Sequence, residues 1–378
     1  MLEIYAGKNA LNTIQQQGFK QELFTNFLGA SGGPKWFTLF GLDKYLFGEF
    51  FSNPTHSLNL VGSSAGAFRA AALCQHKPVD AIKRLAYTYA NTTYSNKPTA
   101  HEISTNAIDI VDDLFAEHGA KEVVENTRFK AHFLVAKCNG LTRYDNKALQ
   151  GAGLLSSLML NKISRRFLNQ QYQRYIFKQA SSDVSIDDPY HFNNTYQPLT
   201  EKNIKAAVLA SGSIPLIMSG VKHINGAEQG TYRDGGIIDY HFDFSLHNRT
   251  ERLTAQSDIQ RENKQPKANE KINSTNTQGL TLYPHFSRIP KAGWFDKNSS
   301  RKVLNRSYNN TVLLAPSAKF IQSLPFHKIP DRTDFTEMDA NTRIKYWLTV
   351  LEKTDQLAEA FHEFFTTQNI NKVKLFQP

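Results

Sequence analysis

The segment that most constrains this chain runs from Leu58 to Ala70. Leu58-Asn59-Leu60-Val61 has strand-forming character, Gly62-Ser63-Ser64-Ala65-Gly66 follows at once, and Ala67-Phe68-Arg69-Ala70 continues as a helix-forming run. A strand that must turn into a helix within five residues needs a tight, strained bend. Glycines at the ends of that bend fit, because a side chain there would collide with the neighbouring strand or helix. The middle residue, Ser64, then projects its hydroxyl clear of the backbone, above a helix N-terminus that favours developing negative charge. Ser64 is therefore a candidate nucleophile, although small-residue turns of this kind also arise for structural reasons alone.

The rest of the chain agrees with such a bend. Phe24–Leu28, Ser57–Val61, His132–Ala136 and Ile204–Leu209 read as short strands, and Phe37–Phe47, Ala67–Cys74, Val79–Ala90 and Ala107–His118 as helices. This alternation predicts an α/β fold with a mostly parallel sheet and helices on both faces, whose active site lies at the carboxyl ends of the strands. Thr311–Leu314 reads as a further strand. Ile344, Trp347, Leu348, Leu351, Ala358, Phe361 and Phe365 recur at helical spacing, which predicts a C-terminal amphipathic helix packed on the sheet. With no repeat and no linker, 1–378 reads as a single domain. Its motif core spans about 24–239, and a C-terminal strand and amphipathic helix span about 311–367. The polar stretch 248–279, without an aromatic residue, predicts a disordered loop.

Two more motifs flank the serine. Ser31-Gly32-Gly33-Pro34-Lys35-Trp36 follows the Phe24–Leu28 strand, and side-chain-free Gly32 and Gly33 suit close approach of their amides to an oxyanion. A phosphate-binding loop is not indicated, since the G-x-x-x-x-G-K-[ST] spacing is missing. Arg233-Asp234-Gly235-Gly236 follows the small-residue run Ala210-Ser211-Gly212-Ser213-Ile214-Pro215. On its own an Asp-Gly-Gly turn is common.

A glycine loop, then G-x-S-x-G, then Asp-Gly-Gly, in that order, resembles the patatin-like phospholipase family, and the resemblance covers about Phe24 to Asp239. It implies a three-layer α/β/α sandwich with a mostly parallel central sheet, and hydrolysis of acyl esters in lipids by a Ser–Asp dyad. On that pattern Ser64 is the nucleophile, Asp234 the general base, and Gly32 and Gly33 line the oxyanion hole. Lys35 falls where the family usually has Arg or Lys. No metal and no cofactor are implied. The family's loop usually reads Gly-Gly-Gly-x-Arg-Gly, whereas this loop begins with Ser31 and closes with Trp36. The first difference bears on one oxyanion donor and the second on the helix entry.

An ordinary α/β-hydrolase would add a histidine after the acid. His241 follows Asp234 too closely, His362 lies in the C-terminal helical pattern, and His285 is the best placed among these, His247 and His327. In a dyad, the aspartate takes the serine proton itself, which requires a partly desolvated carboxylate of raised basicity.

The net charge of +10 favours anionic partners, set against the alternative of a scattered, solvated lysine surface. No zinc-ligand spacing, helix-turn-helix or RNA-binding signature accompanies the charge, so nucleic acid is not expected. Residues 150–180 read as a helical cap or insertion. Within them, Asn161–Lys178 carries Lys162, Arg165, Arg166, Arg174 and Lys178 without an acid. Ile163, Phe167, Leu168, Tyr172, Tyr175 and Ile176 would share one helical face. Such a helix either contacts an anionic membrane or packs its apolar face on the body. Apolar runs fall short of the ~20 residues that span a bilayer, and no secretory signal is visible, so a cytoplasmic chain, peripheral to membrane at most, is expected. Cys74 and Cys138 read as buried free thiols, with one disulfide as the alternative. The expected partner is a lipid or acyl-ester substrate; the oligomeric state is left open. The other functional readings are a non-catalytic lipid-binding protein on the same fold, or a soluble esterase or thioesterase.

Overall fold

A computed structural model describes residues 1–248 and 279–378 of the chain. The strands are β1 (Leu2–Ala6), β2 (Phe24–Gly29), β3 (Leu58–Ser63), β4 (Phe129–Cys138), β5 (Tyr172–Lys178), β6 (Val184–Asp187), β7 (Asn194–Pro198), β8 (Thr231–Asp234), β9 (Ser245–Asn248), β10 (Leu280–Pro284), β11 (Thr311–Pro316) and β12 (Val373–Leu375). Among the described residues ten of them form one sheet in the order β12-β1-β11-β10-β2-β3-β4-β5-β7, with β8 also paired to β4. Pairing is parallel from β11 through β10, β2 and β3 to β4, and antiparallel where β4 meets β5 and β8.

Successive residues of the central strands point to opposite layers, as the pleat requires. Phe27, Leu60, Phe133 and Leu282 face one apolar layer, and Leu28, Val61, Leu134 and Tyr283 face the other. A sheet buried on both faces carries near-continuous apolar runs, as Leu-Asn-Leu-Val does here. Helices Ala65–Leu73, Pro78–Asn91, Ala100–Phe115, Ala340–Lys353 and Asp355–Thr367 cover the first face. The second is covered by the segments around 237–246 and 286–308, and helix Lys147–Ile163 packs beside it through a 2.9 Å hydrogen bond between Ser157 Oγ and the Tyr172 hydroxyl. The result is a three-layer α/β/α arrangement around a mostly parallel mixed sheet.

The length of β4 positions the site. Its first half lies against β3, with Leu134 opposite Ser63, and its second half lies against β8, with Val135 opposite Asp234. The ends of β3 and β8 therefore meet along one strand, which brings together residues 170 positions apart in sequence.

Three sequence expectations need correction. Ile204–Leu209 is not a strand but part of helix Ile204–Ser211. Its Ile-Lys-Ala-Ala-Val-Leu-Ala run is buried on most sides, and a short apolar run does not distinguish the two states by periodicity. The basic segment Asn161–Lys178 is not one amphipathic helix. The helix ends at Ile163, a tight turn covers Arg165–Gln170, and β5 begins at Tyr172. Two of its cations are buried and paired: Arg165 with Asp296, and Arg174 with Asp188 and Asp239 at 2.6 Å each. They belong to the interior, not to a membrane face. The C-terminal helix is two helices that meet at Thr354, whose hydroxyl accepts the Gly41 amide at 2.9 Å. Cys74 and Cys138 are buried free thiols. The 248–279 loop falls, but for its end residues, outside the described residues.

Candidate active site

Ser64 sits between β3 and helix Ala65–Leu73 with φ 53° and ψ −124°, a conformation costing a non-glycine residue about 1–3 kcal/mol. What holds it there is local. The Ser64 amide donates to Ser211 Oγ at 2.9 Å, and Ser211 Oγ donates to the Leu134 carbonyl at 2.7 Å. The following helix packs so closely on β2 that a Cβ on Gly66 would lie 1.7 Å from the Gly29 carbonyl oxygen. Only glycine fits that crossing.

Ser64 Oγ donates to Asp234 Oδ2 at 2.8 Å. The other carboxylate oxygen accepts the Gly236 amide at 2.7 Å, and the Asp234 amide donates to the Ser213 carbonyl at 3.0 Å. The run Ala210–Pro215 thus grips both residues, Ser64 through the Ser211 hydroxyl and Asp234 through the Ser213 backbone. Both side chains are buried, at 4% and 7% exposure. Burial pushes the Asp234 carboxyl above its ordinary value, against the lowering effects of the Ser64 hydrogen bond, the Arg332 charge, the Gly236 amide and Lys297. A buried carboxylate of raised basicity, bonded to a serine hydroxyl, can accept that proton.

The glycine loop lies alongside. Gly32 and Gly33 have φ of 153° and 56°, which a residue with a side chain rarely adopts. Among the described residues no hydrogen bond occupies their N–H groups. Ser31, in place of the family's first glycine, donates its hydroxyl to Ser63 Oγ at 3.1 Å and so ties the loop to the elbow. Trp36 turns inward and lines the site cavity. Lys35 forms an ion pair with Asp331, and burial together with repulsion from Arg332 lowers its pKa.

The cavity measures about 360 Å³ and is lined by Trp36, Phe68, Leu85, Ile110, Ile214 and Met218, together with Ser64 and Gly33. Apart from Ser64 and Arg332, its lining is mainly apolar, as an acyl chain would require.

None of the histidines is hydrogen-bonded to Ser64 or Asp234 among the described residues. His285 is engaged through Nδ1 with Ser287 and is pushed down to about 3 by burial; His241 Nδ1 accepts the Lys291 amide at 2.9 Å and is likewise lowered by burial. The two rings meet edge to face, with centroids 4.3 Å apart. Among the described residues no group of three or more His, Cys, Asp or Glu side chains is arranged for a metal ion, and no helix is long and apolar enough to cross a membrane.

Sequence reasoning missed the role of the Ser211 hydroxyl, although it had noted the small-residue run. It also missed Arg332, which lines the cavity from far downstream, and Lys297, whose charge is felt by Asp234; neither carries a local motif. No curated protein matches the chain. Residues 58–241, from the first residue of β3 past Asp234 to His241, match the model of the patatin-like phospholipase family.

Proposed function

We propose that the chain hydrolyses carboxylic esters of lipids, of phospholipase A or lysophospholipase type, with Ser64 as nucleophile and Asp234 as the only general base. The observation that carries this reading is the 2.8 Å hydrogen bond from Ser64 Oγ to Asp234 Oδ2, with Ser64 in the lining of a mainly apolar cavity. As Ser64 Oγ bonds to the ester carbon, its proton passes to Asp234 Oδ2. The N–H groups of Gly32 and Gly33 receive the charge that develops on the carbonyl oxygen. Collapse breaks the bond to the alcohol oxygen, which leaves with the proton from Asp234, and the acyl group stays on Ser64. Water then gives a proton to Asp234 and attacks the acyl carbon; the fatty acid departs and Ser64 recovers its proton.

Purified protein screened against phospholipids, lysophospholipids, monoacylglycerols and acyl-CoA tests this reading. Asp234→Asn should lower turnover by about 100-fold or more, and His285→Ala by less than about tenfold. Activity that survives Asp234→Asn but vanishes in folded His285→Ala would overturn it. A wild type that binds lipid and turns over none of these esters would favour the non-catalytic reading.

A peripheral membrane face is supported by a stretch that overlaps only the start of the one the sequence suggested. On helix Lys147–Ile163, Leu155, Met159 and Ile163 recur at helical spacing with exposures of 57, 50 and 75%, and exposed Lys162 and Arg166 stand beside them. Gln150, on the buried side of the same helix, accepts the amide of Leu216, next to cavity-lining Ile217, which joins the helix to a segment that lines the cavity. Serine at 155, 159 and 163 should weaken binding to anionic vesicles; unchanged binding would remove the face from the account.

A further inference from the structure

We infer that Arg332, assisted by Lys297, forms an anion subsite beside Ser64 that selects acyl esters bearing a phosphate on the alcohol side of the scissile bond. The inference rests on the hydrolase reading above.

Arg332 lines the cavity together with Ser64 and Gly33. A Cβ on Gly33 would lie 3.1 Å from Arg332 Nε and 3.2 Å from Nη2, so the guanidinium covers the glycine loop. Among the described residues its side chain has neither an ion pair nor a hydrogen bond. Arg332 is half-buried, so its guanidinium has lost part of its water without gaining a partner, an arrangement that favours an incoming anion.

The guanidinium is not there through looseness of its segment. Asp331 pairs with Lys35 on the glycine loop and accepts the Thr333 amide at 3.1 Å. Asp334, fully buried, accepts the Asp331 amide at 2.9 Å, Trp347 Nε1 at 2.8 Å and Lys328 Nζ at 2.7 Å. The residues on both sides of Arg332 are therefore fixed, and its donors are held ready beside the loop.

Lys297 supplies a second cation. Its ammonium rests 4.1 Å above the Tyr240 ring and 5.7 Å from the Trp294 ring, with no carboxylate partner among the described residues. Burial and repulsion from Arg332 hold its pKa down to about 8, in keeping with an unneutralised pair of cations. Of the nearby carboxylates, Asp331 is taken up by Lys35, and Asp234 is engaged by Ser64 and Gly236. A guanidinium fork beside an ammonium matches the several oxygens of a phosphate better than a neutral glycerol hydroxyl. Both cations lie beyond residues 58–241, so this selectivity would be a property of the C-terminal part of the chain.

The test compares a lysophosphatidic acid with the monoacylglycerol of the same acyl chain, which differ only in the phosphate. The wild type should prefer the phosphorylated ester by roughly 10- to 100-fold in kcat/KM, the range for hydrogen bonds to a charged group. Arg332→Gln should collapse that ratio toward one whatever its absolute rates, and Arg332→Lys should restore part of it. An unselective wild type, or a ratio untouched in folded Arg332→Gln, overturns the inference. Failure of the hydrolase reading is read separately: in a Ser64→Ala background, calorimetry with an ether-linked lysophosphatidic acid should show binding weakened at least tenfold by Arg332→Gln. Equal affinity in that background also overturns the inference.

Discussion

Replacing Ser211 by alanine isolates the contact that holds the elbow in its strained form. The hydroxyl accepts the Ser64 amide at 2.9 Å and donates to the Leu134 carbonyl at 2.7 Å, all at buried positions. Alanine leaves the Ser64 N–H without a partner, which costs about 1–3 kcal/mol. The same contact opposes relaxation of a backbone with φ 53°, itself strained by about 1–3 kcal/mol. Stability should fall by about 1–3 kcal/mol, or roughly 1–4 °C in Tm for a chain of this size. Ser64 should also lose its alignment with Asp234. Labelling by a fluorophosphonate should slow by about tenfold or more, equivalent to about 1.4 kcal/mol in barrier. Ser213→Ala is the matched control. Its hydroxyl donates only to the Leu209 carbonyl at 2.8 Å, while the Ser213 carbonyl, which holds Asp234, is unchanged. Labelling at the wild-type rate in Ser211→Ala, or equal damage in Ser213→Ala, would refute this account of the elbow.

Two predictions concern Asp234. Its carboxyl is raised above the ordinary value, chiefly by burial, and only the ionised form accepts a proton. The acid limb of kcat/KM should therefore lie above the usual ~3.9 of an aspartate, and a limb below that value would contradict the assignment. The same shift has a stability consequence. A carboxyl that ionises less readily folded than unfolded costs the native state stability as pH rises through the carboxylate range. Asp234→Asn should then raise Tm at neutral pH, with the gain fading near pH ~3; a lower Tm at neutral pH would count against it.

Much of the site was legible because its determinants are local. The Leu58–Ala70 segment encodes strand, bend and helix within a few residues, and the glycine loop and Asp-Gly-Gly turn are equally short. What was not legible depends on distant packing. Ile204–Leu209 looked like a strand because a buried helix and a buried strand share the same apolar run. Tyr172, Tyr175 and Ile176 fitted a helical face, with Arg174 among its cations, only while the partners of Arg174, Asp188 and Asp239, were unknown. Once paired, that arginine permits β5 to run through the interior. Arg332 could not be read at all, because its place over Gly33 is set by Asp331, Asp334 and Trp347, none of which forms a motif with the serine.

The central claim is that Ser64 attacks the ester carbon, and mass spectrometry of the intact protein after fluorophosphonate treatment tests it most directly. The account predicts one adduct, mapped to the peptide bearing Ser64, present in the wild type and in Ser63→Ala and missing in Ser64→Ala. An adduct of equal yield on folded Ser64→Ala, or one mapped to another serine in the wild type, would contradict it.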